Sequence, residues 1–168
     1  LEADALRSIG NSHAALGRPA ESLESHRQAL MINRETNSAE GIAGDYSNMA
    51  DAHLDLGEYG PTLDLYGKAL DYFRRAGIRS NEAIVLTNLG NAYRRFGQPA
   101  RALEQLRQAL TINREIGNRD GAAFALTGIG SAQYAMEDYA QSLESHRLAL
   151  AMQREVGSRP GEAGALVE

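Results

Sequence analysis

Four asparagines recur in this sequence at regular spacings, and side chains spaced in this way could bind an extended peptide. Asn48 and Asn88 lie forty residues apart, and Asn11 and Asn91 lie eighty residues apart. An asparagine amide both donates and accepts hydrogen bonds, so it can pair with the backbone of a bound peptide whatever side chains that peptide carries. The residue types therefore favour recognition of a main chain over catalysis.

The spacing of the asparagines is that of an internal repeat. The hexapeptide at 22–27 returns unchanged at 142–147, and a step of forty residues aligns leucine, alanine and arginine columns along the chain without a gap. Such a period is typical of repeat architectures. We predict one array over residues 1–168, with repeats at 1–40, 41–80, 81–120 and 121–160 and the start of a fifth at 161–168. Because that fifth repeat stops early, we also expect the chain to be a piece of a longer protein.

Each repeat is predicted to form two antiparallel helices. In the third repeat, Leu86, Leu89, Tyr93 and Phe96 recur at helical spacing, and Gly97 with the following proline separates this helix from the next. The connections are so short that consecutive helices must be antiparallel. No segment shows the alternation of polar and apolar residues that is typical of a strand. The first helix of each repeat has a small residue at the same position, which predicts that the second helix approaches closely there. These small residues are Gly10, Ala50, Gly90 and Gly130.

These residues resemble the tetratricopeptide repeat. The pattern is carried in the third repeat by Leu86, Leu89, Gly90, Tyr93, Ala102, Leu106 and Ala109. Arginine stands where the family has its terminal proline, which lengthens the second helix. The long form is similar to the repeats of kinesin light chains, of Pins/LGN polarity adaptors and of bacterial regulators with C-terminal repeat arrays. The resemblance implies an all-α fold, a right-handed α-solenoid of antiparallel helix pairs.

The repeat register also predicts a binding face. On a helical wheel, Arg7 and Asn11 lie opposite the apolar side that contains Ile9 and Leu16, and in the resembling adaptors an asparagine ladder on this concave face holds an extended peptide. A pair of arginines in the third repeat could bind a carboxylate or phosphate. The predicted partner-binding residues are Arg7, Asn11, Asn48, Asp51, Asn88, Asn91, Arg94, Arg95, Ser131 and Tyr134. Asp51, Gly128 and Ser131 interrupt the ladder, and a merely solvated groove is the alternative.

Composition excludes several other classes of function. The chain has 168 residues, no cysteine and a net charge of −5, which excludes disulfides and thiol chemistry and disfavours direct binding of nucleic acid. No apolar run is long enough for a membrane, and the four histidines share columns with core residues, so we predict no metal. The Gly128–Ser131 string lies in the middle of a helix, where a nucleophile elbow cannot form. We predict no enzyme activity, no cofactor and a cytoplasmic protein.

Three functions remain open at the level of sequence. The first is an interaction scaffold that binds a peptide or partner protein in its concave groove. The second is a regulatory sensor module of a larger bacterial signalling or transcription regulator, and the third is an architectural spacer that associates end to end. The second repeat departs most from the others, through Gly67, Tyr72, Phe73 and Ile78. It is interpreted as a hinge, as an extra contact surface or as ordinary drift between repeats.

Overall fold

The computed structural model describes residues 1–156, with side chains to Arg154, as an all-α protein without strands. The predicted fold class of paired helices is confirmed. The predicted start of a fifth repeat at 161–168 lies outside the described residues. The eight described helices are α1 (Glu2–Ala15), α2 (Pro19–Glu35), α3 (Ala39–Asp55), α4 (Tyr59–Ala76), α5 (Arg79–Arg95), α6 (Pro99–Glu115), α7 (Arg119–Ala135) and α8 (Tyr139–Val156).

One backbone turn joins every successive pair of these helices. After α5, the Gln98 amide donates to the Tyr93 carbonyl at 2.8 Å and the Gly97 amide to the Arg94 carbonyl at 3.0 Å, the two bonds of a Schellman motif. The same two bonds close all seven described turns. The left-handed residue of each turn comes every twenty residues, at Gly17, Asn37, Gly57, Gly77, Gly97, Gly117 and Glu137. The forty-residue repeat therefore contains a twenty-residue backbone period that the sequence analysis missed.

The helix starts follow from local sequence. Pro19 and Pro99 occupy the first position of α2 and α6, where a missing amide hydrogen costs nothing. Ser38 and Asn118 cap α3 and α7, since their side-chain oxygens accept the backbone amides of Gly41 and Gly121. Among the described helices, none is long and apolar enough to span a bilayer.

The helices group into two compact units. The N-terminal unit is Leu1–Ile78 and the C-terminal unit is Arg79–Glu168. In the N-terminal unit α2 packs on both α1 and α3, and α3 packs on α4. In the C-terminal unit each described helix packs on the next, and α5 also contacts α7.

The small-residue column has the packing role that its spacing predicts. A Cβ atom added at Gly10 or Gly130 would lie 2.6–2.7 Å from the ring of His26 or His146, and one added at Gly90 would lie 2.6 Å from Leu106 Cγ. In three of the four repeats the second helix therefore approaches so closely that a Cβ could be added only if the facing side chain shifted.

The side of α1 that contains Ile9 is less covered than the wheel suggests. Ile9 and Leu16 are exposed, and α1 instead buries Ala3 and Gly10. The residues equivalent to Ile9 in the other three repeats, Met49, Leu89 and Ile129, are buried. The predicted apolar side is thus covered in three repeats and exposed in the first.

Two of the residues that invited other interpretations, His26 and Phe73, belong to the core. His26 is fully buried, and its burial, with the charge of Arg7, lowers its pKa to about 4. Phe73 is buried at a position held by Asn33 and Asn113 in neighbouring repeats. Among the side chains described, those of residues 1–154, no group of three or more histidines, aspartates or glutamates is placed to hold a metal ion.

Candidate functional site

A groove of about 420 Å³ lies in the C-terminal unit between α5 and α7. The two helices run in the same direction, because each is joined to α6 by a turn of three residues. The lining residues are Ala83, Ile84, Thr87, Asn88, Asn91 and Arg94 from α5, Gly121, Phe124, Thr127, Gly128 and Ser131 from α7, and Asn113 and Asn118 beneath and between them. We call this cavity the α5–α7 groove.

Its two walls are built from the same positions of successive repeats. Ile84 and Phe124 share one column of the forty-residue register, and Asn91 and Ser131 share another. Along each helix the lining residues recur at steps of three and four, which places them on one face. The repeat itself therefore produces a groove with matching levels on its two sides.

Leu106 of α6 forms the packing support beneath both walls. It is fully buried, and its side chain leaves no room for a Cβ at Gly90 of α5 or at Gly128 of α7. The second contact is 2.7 Å, between the added Cβ at 128 and Leu106 Cδ2. The asparagine ladder is interrupted at Gly128 because a side chain at this position would meet the helix behind it.

The hydroxyl groups of the groove are oriented by their own helices. Thr87 donates to the Ala83 carbonyl at 2.8 Å, Thr127 to the Ala123 carbonyl at 3.1 Å, and Ser131 to the Thr127 carbonyl at 3.1 Å. With their hydrogens committed in this way, these oxygens are left as acceptors. On the α5 wall, the side-chain amide of Asn91 supplies both hydrogen-bond donors and an acceptor.

Arg94 is the one charged side chain among the described residues that line the groove. Its Nε is buried and has no hydrogen-bond partner in the described part of the chain. A buried donor without a partner is unfavourable, and an arginine without a counter-ion inside a cavity suits an anionic group. The charge that lines the groove is therefore positive, although the chain as a whole carries a net charge of −5.

Two large apolar side chains open onto the same groove. Ile84 is 55% exposed and Phe124 is 66% exposed, and they stand at the same level of the two walls. Large apolar side chains that remain exposed side by side in a cavity are typical of binding surfaces.

Four of the ten predicted site residues come together here, namely Asn88, Asn91, Arg94 and Ser131. Arg95 does not line the groove, because a step of one residue turns it by about 100° around the helix axis. Tyr134 is 64% exposed but contacts Tyr139 edge to face, with ring centroids 5.3 Å apart, outside the groove.

The predicted residues of the N-terminal unit are arranged differently. Arg7 pairs with Asp4 at 2.6 Å and lies 3.6 Å from the fully buried carboxylate of Asp45. Asn33 donates a hydrogen bond to the Asp45 carboxylate at 2.6 Å, and burial raises the pKa of Asp45. In the forty-residue register, Arg7 is equivalent to Thr87. The Arg7 side chain and its acidic partners therefore lie at positions of the N-terminal unit that correspond to the open part of the α5–α7 groove.

The other three predicted residues of this unit do not form a comparable cluster. Asn11 is exposed and Asn48 is half-buried. Asp51 accepts a hydrogen bond from the Tyr66 hydroxyl, and burial raises its pKa to about 6. Asp51 is therefore already bonded within its own helix pair.

Sequence reasoning missed the apolar part of the groove. Ile84 and Phe124 were not among the predicted site residues, because apolar residues at helical spacing indicate a core. Their signal was available in the register, since position 84 lies on the same helix face as Asn88 and Asn91, and position 124 repeats it.

The chain belongs to the tetratricopeptide repeat family. Two models of that repeat match it, one over residues 3–41 and one over residues 42–115, which together cover more than half of the sequence. No curated protein sequence is significantly similar to it.

Solved structures of similar fold include the following three. The first is a Rap protein complexed with competence and sporulation factor, with a TM-score of 0.90, 16% identity and coverage of 97% of this chain and 46% of that one. The second is the Rap conjugation gene regulator of plasmid pLS20 in complex with the Phr* peptide, with a TM-score of 0.85, 16% identity and coverage of 98% of this chain and 45% of that one. The third is aspartyl phosphate phosphatase F from Bacillus subtilis, with a TM-score of 0.88, 18% identity and coverage of 97% of this chain and 43% of that one.

The chain thus spans less than half the length of each of these three structures. At these identities the likeness establishes the fold, and what those proteins bind or catalyse is a property of theirs.

Proposed function

We propose that this chain is a protein-interaction module that binds an extended peptide segment in the α5–α7 groove. The observation that carries the proposal is the groove itself, a cavity of about 420 Å³ whose wall presents Asn88 and Asn91 together with an unpaired Arg94. Its size is that of a ligand pocket. Its lining offers hydrogen-bonding groups, one cation and two large apolar side chains, and no group of three or more metal-ligating side chains occurs among the described residues.

The arrangement suits main-chain recognition. The amides of Asn88 and Asn91 lie on one wall at successive turns, and the hydroxyl oxygens of Thr127 and Ser131 lie on the other. An extended peptide presents donors and acceptors alternately to its two sides, so the two walls can satisfy both. Backbone pairing of this kind supplies affinity, and pockets for individual side chains supply specificity.

The comparisons support binding over catalysis. One structure of similar fold holds a peptide according to its description, and the tetratricopeptide family is shown for this chain. Another similar structure is described as a phosphatase, which is the reason to test binding directly. Cytoplasmic location and end-to-end self-association remain predictions.

A regulatory module of a larger protein is the second candidate function. It is favoured by the partial coverage of the similar chains, one of which is described as a gene regulator. In such a module the peptide would be the signal, so both candidates place the ligand in the α5–α7 groove. They differ in whether binding changes the activity of a linked domain.

The test is a peptide selection with two matched variants. A random nine-residue library displayed on phage is selected on the immobilised protein, and the enriched peptides are measured by fluorescence anisotropy. Asn88→Ala with Asn91→Ala should weaken binding at least about tenfold, since two hydrogen-bonding amides are lost. Asn11→Ala with Asn48→Ala removes two asparagines from the equivalent columns of the N-terminal unit and should change it little.

Circular dichroism establishes that both double variants keep their helices. Equal losses in the two variants, or no enrichment by the wild-type protein, would refute the proposed site. The unaltered binding of the Asn88/Asn91 variant would place the peptide on another surface.

A further inference from the structure

We infer that the α5–α7 groove selects a peptide that carries one large apolar side chain and one carboxylate, four or five residues apart. The inference rests on the proposed function and adds the chemistry of the partner. Its apolar end is the pair Ile84 and Phe124, and its charged end is Arg94.

The charged end follows from Arg94. Among the described residues, no other charged side chain lines the groove, so none of them neutralises this guanidinium there. Its Nε is buried and has no hydrogen-bond partner in the described residues either. A carboxylate on the ligand can supply the counter-charge, with the planar geometry that arginine prefers.

The apolar end follows from the two facing columns. Ile84 and Phe124 hold the same register position on the two walls and are more than half exposed. A side chain inserted between them would remove apolar surface from water on both of its sides. An aromatic ring such as Phe124 gains more from this burial than other residues do.

The separation of the two ends fixes the spacing in the ligand. Ile84 and Arg94 are ten residues apart on α5, which corresponds to about 15 Å at 1.5 Å per helical residue. An extended chain advances about 3.3 Å per residue. The two ends of the groove are therefore about four to five peptide residues apart.

The same feature is absent from the corresponding described positions of the N-terminal unit. Asp4 and Gly44 stand where the groove has Ile84 and Phe124. Asp4 pairs with Arg7, and the Arg7 guanidinium lies 3.7 Å from the place of a Cβ at Gly44. Specificity for an apolar and acidic pattern is thus assigned to the C-terminal unit.

Selection with a charge-reversed protein tests the inference. The nine-residue phage library is selected in parallel on the wild-type protein, on Arg94→Glu and on Arg95→Glu, which carries the same change one residue outside the groove. We expect wild-type binders to enrich an aromatic or aliphatic residue and an aspartate or glutamate four or five positions away. Arg94→Glu should enrich lysine or arginine at that position, and Arg95→Glu should keep the acid.

Two binding measurements complete the test. In an enriched peptide, exchange of the acid for its amide should weaken binding to the wild-type protein about tenfold. The same exchange should weaken binding to Arg94→Gln less than about twofold, because this variant has already lost the charge-assisted bond. Phe124→Ala should weaken binding, whereas Tyr134→Ala, an equally exposed aromatic of the same helix, should not.

The outcomes separate this inference from the proposed function. Peptides that depend on Asn88 and Asn91 but show no acidic preference, or a preference that Arg94→Glu leaves unchanged, would overturn the inference and leave the proposed function standing. Failure to enrich any peptide that depends on those asparagines would overturn both.

Discussion

The fit of Leu106 against Gly90 predicts an unusual response to a helix-favouring substitution. In an exposed helical position, glycine to alanine stabilises by about 1 kcal/mol. At Gly90 the added Cβ would lie 2.6 Å from Leu106 Cγ and 3.2 Å from the Ala102 carbonyl oxygen. Overpacking of this kind costs about 1–3 kcal/mol. Leu106 is fully buried and lies equally close to Gly128 on the other side of the groove. We therefore expect Gly90→Ala to be between neutral and about 2 kcal/mol destabilising.

The matched control is Gly67→Ala in the interior of α4. Gly67 is exposed, and no atom lies within 4 Å of its added Cβ, so this change should stabilise by about 1 kcal/mol. A second control combines Gly90→Ala with Leu106→Ala. Because the clash is then removed, alanine at 90 should stabilise that background by about 1 kcal/mol, although Leu106→Ala alone costs about 2–5 kcal/mol.

Urea unfolding followed by circular dichroism measures these changes. The informative quantity is the coupling free energy of the cycle between positions 90 and 106, for which we expect about 1–3 kcal/mol. If Gly90→Ala stabilised the protein as Gly67→Ala does, or if the coupling were zero, the close approach of α5 and α6 would be wrong.

Two further predictions concern stability. Glu137 holds the left-handed position that glycine fills in five of the seven described turns, with φ of 63°, so Glu137→Gly should raise the unfolding free energy by about 1 kcal/mol in the same urea assay; a loss would contradict the strain. Burial raises the pKa of Asp51 to about 6, from an ordinary 3.8, so the folded state binds its proton more tightly and stability should fall as the pH rises from about 4 to 6. Asp51→Asn should remove this part of the pH dependence and be the more stable protein at pH 7.5; an unchanged slope in urea titrations at pH 4, 5, 6 and 7.5 would contradict the assignment.

The sequence predicted the helix pairs because their determinants are periodic. Leucine and arginine columns recur every forty residues, and Gly97 with Pro99 marks a boundary that the structure places at the same residues. The twenty-residue backbone period was missed because the alternate helices share no side-chain pattern. Asn37 and Glu137 also take left-handed positions without being glycine.

The polar residues of the candidate groove could be predicted from the register, whereas its apolar residues and the ion pair of the first repeat were missed. The register placed Asn88, Asn91, Arg94 and Ser131 on one face, and the structure brings them together. The buried partner of Arg7, Asp45, stands in a column otherwise occupied by alanine and valine. A column argument cannot anticipate an ion pair that occurs in one repeat only.

The central claim is that a peptide lies between α5 and α7, and NMR of the complex tests it most directly. An enriched nine-residue peptide is titrated into isotope-labelled protein, and the shifts of the backbone and asparagine side-chain amides are followed. We predict the largest changes at the Asn88 and Asn91 side chains and along the lining residues of both helices from 84 to 94 and from 121 to 131. Changes confined to α8 or to the N-terminal unit, with Asn88 and Asn91 unmoved, would contradict the claim.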